Sequence, residues 1–209
     1  MNQQLSQMKG YDTDKSEGYL NNYEKIFSAL CGSKVYLLEL GVFKCGSLYL
    51  WRDYFPSGNI AGLDCEKVSI EDPTNRIKIY QGLQQDTVLL DKIRKECAPN
   101  GFDIIIDDAS HIAEFTKMSF WHLFNNHLKK GGYYIIEDWG TGYWESWPDG
   151  KRYNGDNHLA GMVGLIKELV DEAGFADITH SSRGNIKPFR ESKFEYIQLS
   201  CGQAIIQKK

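Results

Sequence analysis

The chain has no basic block, no long apolar run and no paired-cysteine motif, and each absence removes a class of function. Its 24 Lys and Arg stand against 28 Asp and Glu, a net charge of −4. Without clustered cations, nucleic acid and anionic membranes are poor partners, since both are bound largely through phosphate charge. No apolar stretch approaches the roughly 20 residues needed to span a bilayer. Met1 to Gly10 holds one Lys and no apolar segment of the kind a secretory signal needs, so a cytoplasmic location is expected. The five cysteines (Cys31, Cys45, Cys65, Cys97, Cys201) are odd in number and never spaced CxxC. That pattern fits reduced thiols better than a disulfide framework or a zinc site. Two nucleotide motifs are also missing from the turn Gly41-Val42-Phe43-Lys44-Cys45-Gly46-Ser47. Phe43 stands where a dinucleotide GxGxxG needs glycine, and no Lys follows Gly46 as a P-loop requires.

What is present is an ordinary globular composition, 42% hydrophobic and 25% charged, in 209 residues. That is enough for one α/β domain with its own core. Residues 1–17 are polar and read as a loose arm, with 18–209 as a single domain. Apolar spacing predicts a helix over 19–30, and Lys34 to Leu40 reads as a buried strand. Further strands are predicted at 60–63, 76–80, 102–107 and 133–136, with helices at 47–54, 87–97, 112–128 and 159–172. Phe194 to Leu199 and Gln203 to Gln207 read as a terminal hairpin. The alternation predicts a Rossmann-like, doubly wound α/β sheet of seven strands, mostly parallel, with an antiparallel C-terminal edge. Residues 139–158 lack a period and are rich in Gly and aromatics, which suggests an active-site loop or lid.

Chemistry concentrates at two strand ends. One reads Ile104-Ile105-Ile106-Asp107-Asp108-Ala109-Ser110-His111, the other Tyr134-Ile135-Ile136-Glu137-Asp138-Trp139. Parallel α/β sheets bind ligands at the carboxyl ends of their strands. If these strands are neighbours, Asp108, Glu137 and Asp138 converge beside His111. Each carboxylate pair would repel by about 4 kcal/mol at 4 Å and an effective dielectric near 20. A hard cation, Mg²⁺, Mn²⁺ or Ca²⁺, suits such an oxygen cluster. The competing explanation is that Asp108 or Ser110 caps the next helix and that His111 is a hydrogen-bonded residue at its start. His122, His127, His158 and His180 read as structural or surface residues.

The Gly41 to Ser47 turn, with Glu39 on the strand before it, allows close backbone approach to a ligand and has no phosphate-gripping side chain. It therefore suits a nucleoside. Asp64 ends the second strand, roughly 20 residues beyond Gly41, where an acid can accept from ribose hydroxyls. Gln84, Gln85 and Asp86 follow the third strand within reach of a base edge. Asp107 is grouped with the cofactor residues, although hydrogen bonds within the turn would also account for it. Tyr143, Trp144, Trp147 and Tyr153 could wall a sugar ring or a flat acceptor.

Together these segments resemble the class I S-adenosylmethionine-dependent methyltransferases. They are most similar to the Mg²⁺-dependent sugar O-methyltransferases of macrolide biosynthesis and the related cephalosporin-hydroxylase-type family. The DDxSH and EDxxTxYW pair carries most of the resemblance. It implies Asp108, Glu137 and Asp138 as metal ligands and His111 as the general base. It implies that Glu39, Gly41, Gly46, Ser47, Asp64 and Gln84 to Asp86 line the S-adenosylmethionine site. The implied partner is a small hydroxylated acceptor, a natural product or saccharide, with self-association left open. Glu17 stands where relatives tend to have His, and the Gln198 to Cys201 stretch departs from their aromatic and acid. Oxidative chemistry of the cephalosporin-hydroxylase kind, or ligand binding without catalysis, are the alternatives.

Overall fold

The computed structural model describes residues 4–151, 160–175 and 190–209. Its sheet is built from β1 (Tyr36–Leu40), β2 (Asn59–Asp64), β3 (Ile77–Gln81), β4 (Phe102–Asp107), β5 (Leu128–Glu137), β6 (Phe194–Ser200) and β7 (Gln203–Lys208). The strand order is β3-β2-β1-β4-β5-β7-β6. The first five strands run parallel, and β7 is antiparallel to both β5 and β6. The predicted doubly wound sheet with an antiparallel edge is therefore the one that forms. Its direction of winding reverses between β1 and β4, which opens a crevice at their carboxyl ends.

Both faces of the sheet are covered, so its central strands are nearly all apolar. Helices α1 (Glu17–Phe27) and α2 (Gly46–Tyr54) cover one face, where Tyr23, Phe27, Trp51 and Phe55 pack on Leu37, Ile104 and Ile106. Helices α3 (Thr87–Cys97), α4 (Ala113–Asn126) and α6 (Gly161–Ala173) supply Leu90, Phe120, Phe124 and Leu169 to the other. In α1 the positions Leu20, Tyr23 and Phe27 make one buried stripe, and Ser16 caps the helix by accepting from Tyr19 N. The Tyr23 ring lies 4.9 Å from Phe27 and 5.1 Å from Trp51. Such aromatic pairs contribute about 0.5–1.5 kcal/mol beyond their buried area.

Three expectations are corrected. β5 starts at Leu128, not at the expected Tyr133, and α4 ends at Asn126, short of the expected 128, because Gly131-Gly132 continues the strand past an irregularity in its pairing with β4. Residues 4–16 are not a loose arm. Leu5 is fully buried and its N–H donates to Glu24 at 2.8 Å, Tyr11 donates to Asp53 at 2.9 Å, and Lys15 is buried. The described part of the 139–158 segment is not irregular either: it forms a 3₁₀ turn, Trp139–Tyr143, and a short helix α5, Pro148–Lys151. Buried Asp149 ties it down by accepting from Ala113 N at 2.7 Å, which caps α4. Tyr153 and His158 lie outside the described residues, as does His180.

Gly46 explains the docked N-terminus. A Cβ there would meet the Asp12 carbonyl oxygen at 2.0 Å, a backbone atom that cannot swing aside. Gly46→Ala should therefore push Asp12 to Ser16 away and speed amide hydrogen exchange in that segment, with β1 and β4 still protected. Unchanged exchange would show that the segment is held elsewhere.

Candidate active site

A cavity of about 1460 Å³ opens at the carboxyl ends of β1, β4 and β5. Its walls include the docked Asp12 to Ser16 segment, the Gly41 to Lys44 turn, Asp64, Asp108, His111, Glu137, Asp138 and the Trp139 to Trp144 segment. A neighbouring cavity of about 200 Å³ shares Gly41, Asp64 and Ala109 with it and adds Gln84, Gln85, Ser110 and Phe115. Backbone strain concentrates here. Among the described residues, five non-glycines have positive φ, and four of them (Phe43, Cys45, His111, Asp138) lie in the turns around the large cavity. Such conformations cost energy and persist where surrounding structure holds them, which is characteristic of functional sites.

The parallel pairing of β1 with β4, and of β4 with β5, brings the predicted acids together. A fourth group joins them that sequence reasoning missed. The Lys15 ammonium, almost fully buried, sits 2.7 Å from Glu137 Oε2, 2.9 Å from Asp108 Oδ2 and 3.1 Å from Glu39 Oε1. Burial alone would lower its pKa. The carboxylates of Glu137, Glu39 and Asp108 outweigh that effect and hold it well above the usual lysine value. Glu137 Oε1 also accepts from the Tyr23 hydroxyl, so both its oxygens already have protein donors. Asp138 is more open, with Oδ1 accepting from Tyr19 at 2.7 Å. His111 Nε2 lies 3.8 Å from Asp108 Oδ1 and 3.9 Å from Asp138 Oδ2. These three side chains offer ligand atoms all within 4.8 Å of one another. The Asp108 and Asp138 carboxylates are an oxygen donor set that fits a divalent cation, with the His111 ring beside them. Glu137, expected as a third ligand, is outside this group, its oxygens taken by Lys15 and Tyr23.

The remaining predicted residues divide. Gly41, Gly46, Ser47 and Asp64 line the large cavity, and Gln84 and Gln85 the small one. Glu39 does not line either: it is fully buried and accepts from Ser47 Oγ at 2.8 Å and Trp51 Nε1 at 3.1 Å. Asp64 Oδ2 accepts from the N–H groups of Val42 and Phe43, so it also pins the glycine turn. Gly41 and Gly46 serve protein packing as well as any ligand. A Cβ at Gly41, where φ is +82°, would lie 2.1 Å from the Asp108 carbonyl oxygen. Asp86 lines neither cavity and caps α3 by accepting from Leu89 N. Asp107 is buried beneath the site, accepting from Tyr134, Ser119 and Gln84, and burial pushes its carboxyl up to about 6. In sequence, acids that follow a strand look alike, so the sequence alone groups both with the cofactor residues. Tyr143 and Trp144 are exposed on the cavity wall. Trp147 lies outside the lining, its ring 5.8 Å from that of His111.

No family model matches the chain. The mycinamicin VI 2''-O-methyltransferase of Micromonospora griseorubida is 38% identical over 157 residues, 72% of this chain and 38% of that protein. The demethylmacrocin O-methyltransferase of Streptomyces fradiae is 35% identical over 168 residues, 77% of this chain and 41% of that one. The crystal structure of MycE with Mg and SAH superposes with a TM-score of 0.74 at 32% identity, covering 91% of this chain and 48% of that one. The chain is a homologue of the macrolide sugar O-methyltransferases. It has their Rossmann-like methyltransferase fold. It spans less than half the length of these relatives.

Within this methyltransferase fold, Lys15 is a positioning residue for the acid cluster. Removing one partner from a buried ion pair costs about 3–5 kcal/mol. Lys15→Met should lower stability to urea by that order, and added Mg²⁺ should restore part of it in this variant. A loss below about 1 kcal/mol, the size of an exposed ion pair, would show that the ammonium does not hold the cluster together.

Proposed function

We propose that the chain transfers a methyl group from S-adenosylmethionine to a hydroxyl of a small glycosylated or polyhydroxylated natural product, with Mg²⁺. The observation that carries this reading is the convergence of Asp108, Asp138 and His111 at the mouth of a cavity large enough for two ligands. Single small-molecule pockets run to about 300–1,000 Å³. When bound, the sulfonium cofactor supplies the methyl group, and Mg²⁺ acts as an orienting Lewis acid that lowers the acceptor's hydroxyl pKa.

The chain's own residues do the rest. Asp64 and the Gly41 to Lys44 turn receive the nucleoside, with its base in the small cavity against Gln84 and Gln85. Asp108 and Asp138 would hold the cation, and Glu137, fixed by Lys15 and Tyr23, would add negative charge to the site. His111 Nε2 faces the same point and takes the acceptor's hydroxyl proton. Trp147 stands beside the imidazole, and Tyr143 and Trp144 wall the acceptor side. Holding acceptor and methyl group in line could remove about 7–11 kcal/mol of the barrier.

Two measurements test this. Calorimetric titration of chelator-treated protein should show binding of S-adenosylhomocysteine and a separate Mg²⁺ site. Asp138→Ala should lose the Mg²⁺ heat and keep the nucleoside heat. Absence of nucleoside binding with and without Mg²⁺ would remove the methyltransferase reading. In a screen of hydroxylated macrolides and saccharides, His111→Gln should lower turnover about 100- to 10,000-fold with nucleoside affinity unchanged. Equal turnover across pH 6 to 9 would remove His111 as the base.

A further inference from the structure

A second cluster of metal-ligating side chains lies at the other end of the sheet. His127 O accepts from Phe102 N, the first residue of β4, whereas Asp108 follows the last. Asp91, on α3, faces His122 of α4 and His127 just beyond it. Both imidazoles direct Nε2 at the same oxygen, Asp91 Oδ1, at 2.7 Å from His122 and 2.5 Å from His127. All three ligand atoms lie within 4.8 Å of one another.

The convergence depends on where α4 stops. Five residues along a continuing helix would put the two histidines about 140° apart around the axis, given 3.6 residues per turn. The helix ends at Asn126, and His127 leaves it at φ −126°, ψ −20°, which lets its ring return toward His122. The rings are 5.1 Å apart between centroids. The carbonyl end of a helix also favours a cation.

We propose that Asp91, His122 and His127 form a second divalent-metal site, one for Zn²⁺ or a similar nitrogen-preferring ion, that joins α3 to α4. Two imidazoles and a carboxylate suit such ions and suit Mg²⁺ poorly. The site thus differs in chemistry as well as in place from the oxygen-rich cluster around Asp108 and Asp138. Among the described residues the two histidines are the only ion-pair partners of Asp91, so no lysine or arginine competes for its charge. Asp91 is 44% exposed, which leaves an open side for water to complete the coordination. Among the described residues, nothing hydrogen-bonds the buried His127 Nδ1. That ring therefore lacks the outer-shell partner that strengthens tight sites, and the ion should exchange readily.

The test uses full-length, chelator-treated protein returned to excess Mg²⁺ and titrated with ZnCl₂, with bound zinc counted by mass spectrometry. One Zn²⁺ per chain is expected in the wild type and in Asp138→Ala, with a rise in Tm. His122→Ala and His127→Gln should weaken zinc binding by at least about tenfold and abolish the rise. Asp91→Asn keeps the side-chain shape and guards against a folding defect; it should weaken binding too. No zinc uptake in the presence of Mg²⁺ would overturn the proposal. Uptake that survives all three substitutions would also overturn it and assign the ion to exposed thiols such as Cys65 and Cys201.

Discussion

A single buried ammonium organises the cavity end of this fold. Glu39 ends up inside the molecule because β1 is an interior strand flanked by β2 and β4, and Glu137 because β5 is covered on both faces. Asp108 follows β4 between them. Three carboxylates so placed repel one another strongly in a medium of low dielectric. Lys15 answers all three at once, and it can do so only because the chain before α1 crosses the mouth of the crevice. That path in turn requires Gly46, where any side chain would strike Asp12, and the Ser16 cap that turns the chain into α1. The hydroxyls of Tyr19 and Tyr23, one helical turn apart on α1, then reach Asp138 and Glu137. The N-terminal segment is thus part of the site wall.

This arrangement separates two tasks that the sequence runs together. Glu39 and Glu137 have their oxygens taken up by Lys15, Ser47, Trp51 and Tyr23. Asp108 and Asp138 keep oxygens turned toward His111 and the cavity. Positive φ at both His111 and Asp138 aims these side chains inward, at a local cost the surrounding packing sustains. The solved relatives contain roughly as much chain again as is described here. In this chain the shared part holds the strand ends that line the cavity, the acid cluster and the aromatic wall.

Much of this was legible in the residues. Apolar runs of strand length ending in acids, with helices between them, place β4, α3 and the closing hairpin within a residue or so of their observed bounds. The DD and ED pairs stand out because acids rarely end two buried strands without purpose. Lys15 was not legible. It sits in a polar stretch, Asp12 to Ser16, whose local composition matches a solvated tail, and nothing within helical or strand spacing of it marks a buried partner. Its partners are 24, 93 and 122 residues away along the chain (Lys15 to Glu39, Asp108 and Glu137). Asp86 and Asp107 misled for the converse reason. A helix cap and a buried hydrogen-bond acceptor look, in sequence, like any other acid at a strand end.

By itself the sequence determined the element order, the parallel sheet with its antiparallel edge, and the strand ends at which chemistry would collect. Hydrophobic periodicity and turn residues are local properties, and local properties suffice for these. Tertiary structure alone decided which acids face the cavity and which are neutralised, that the N-terminal segment closes one wall, and that Asp91, His122 and His127 meet. Those outcomes depend on distances between residues far apart in the chain, which only the packed sheet and its helices set.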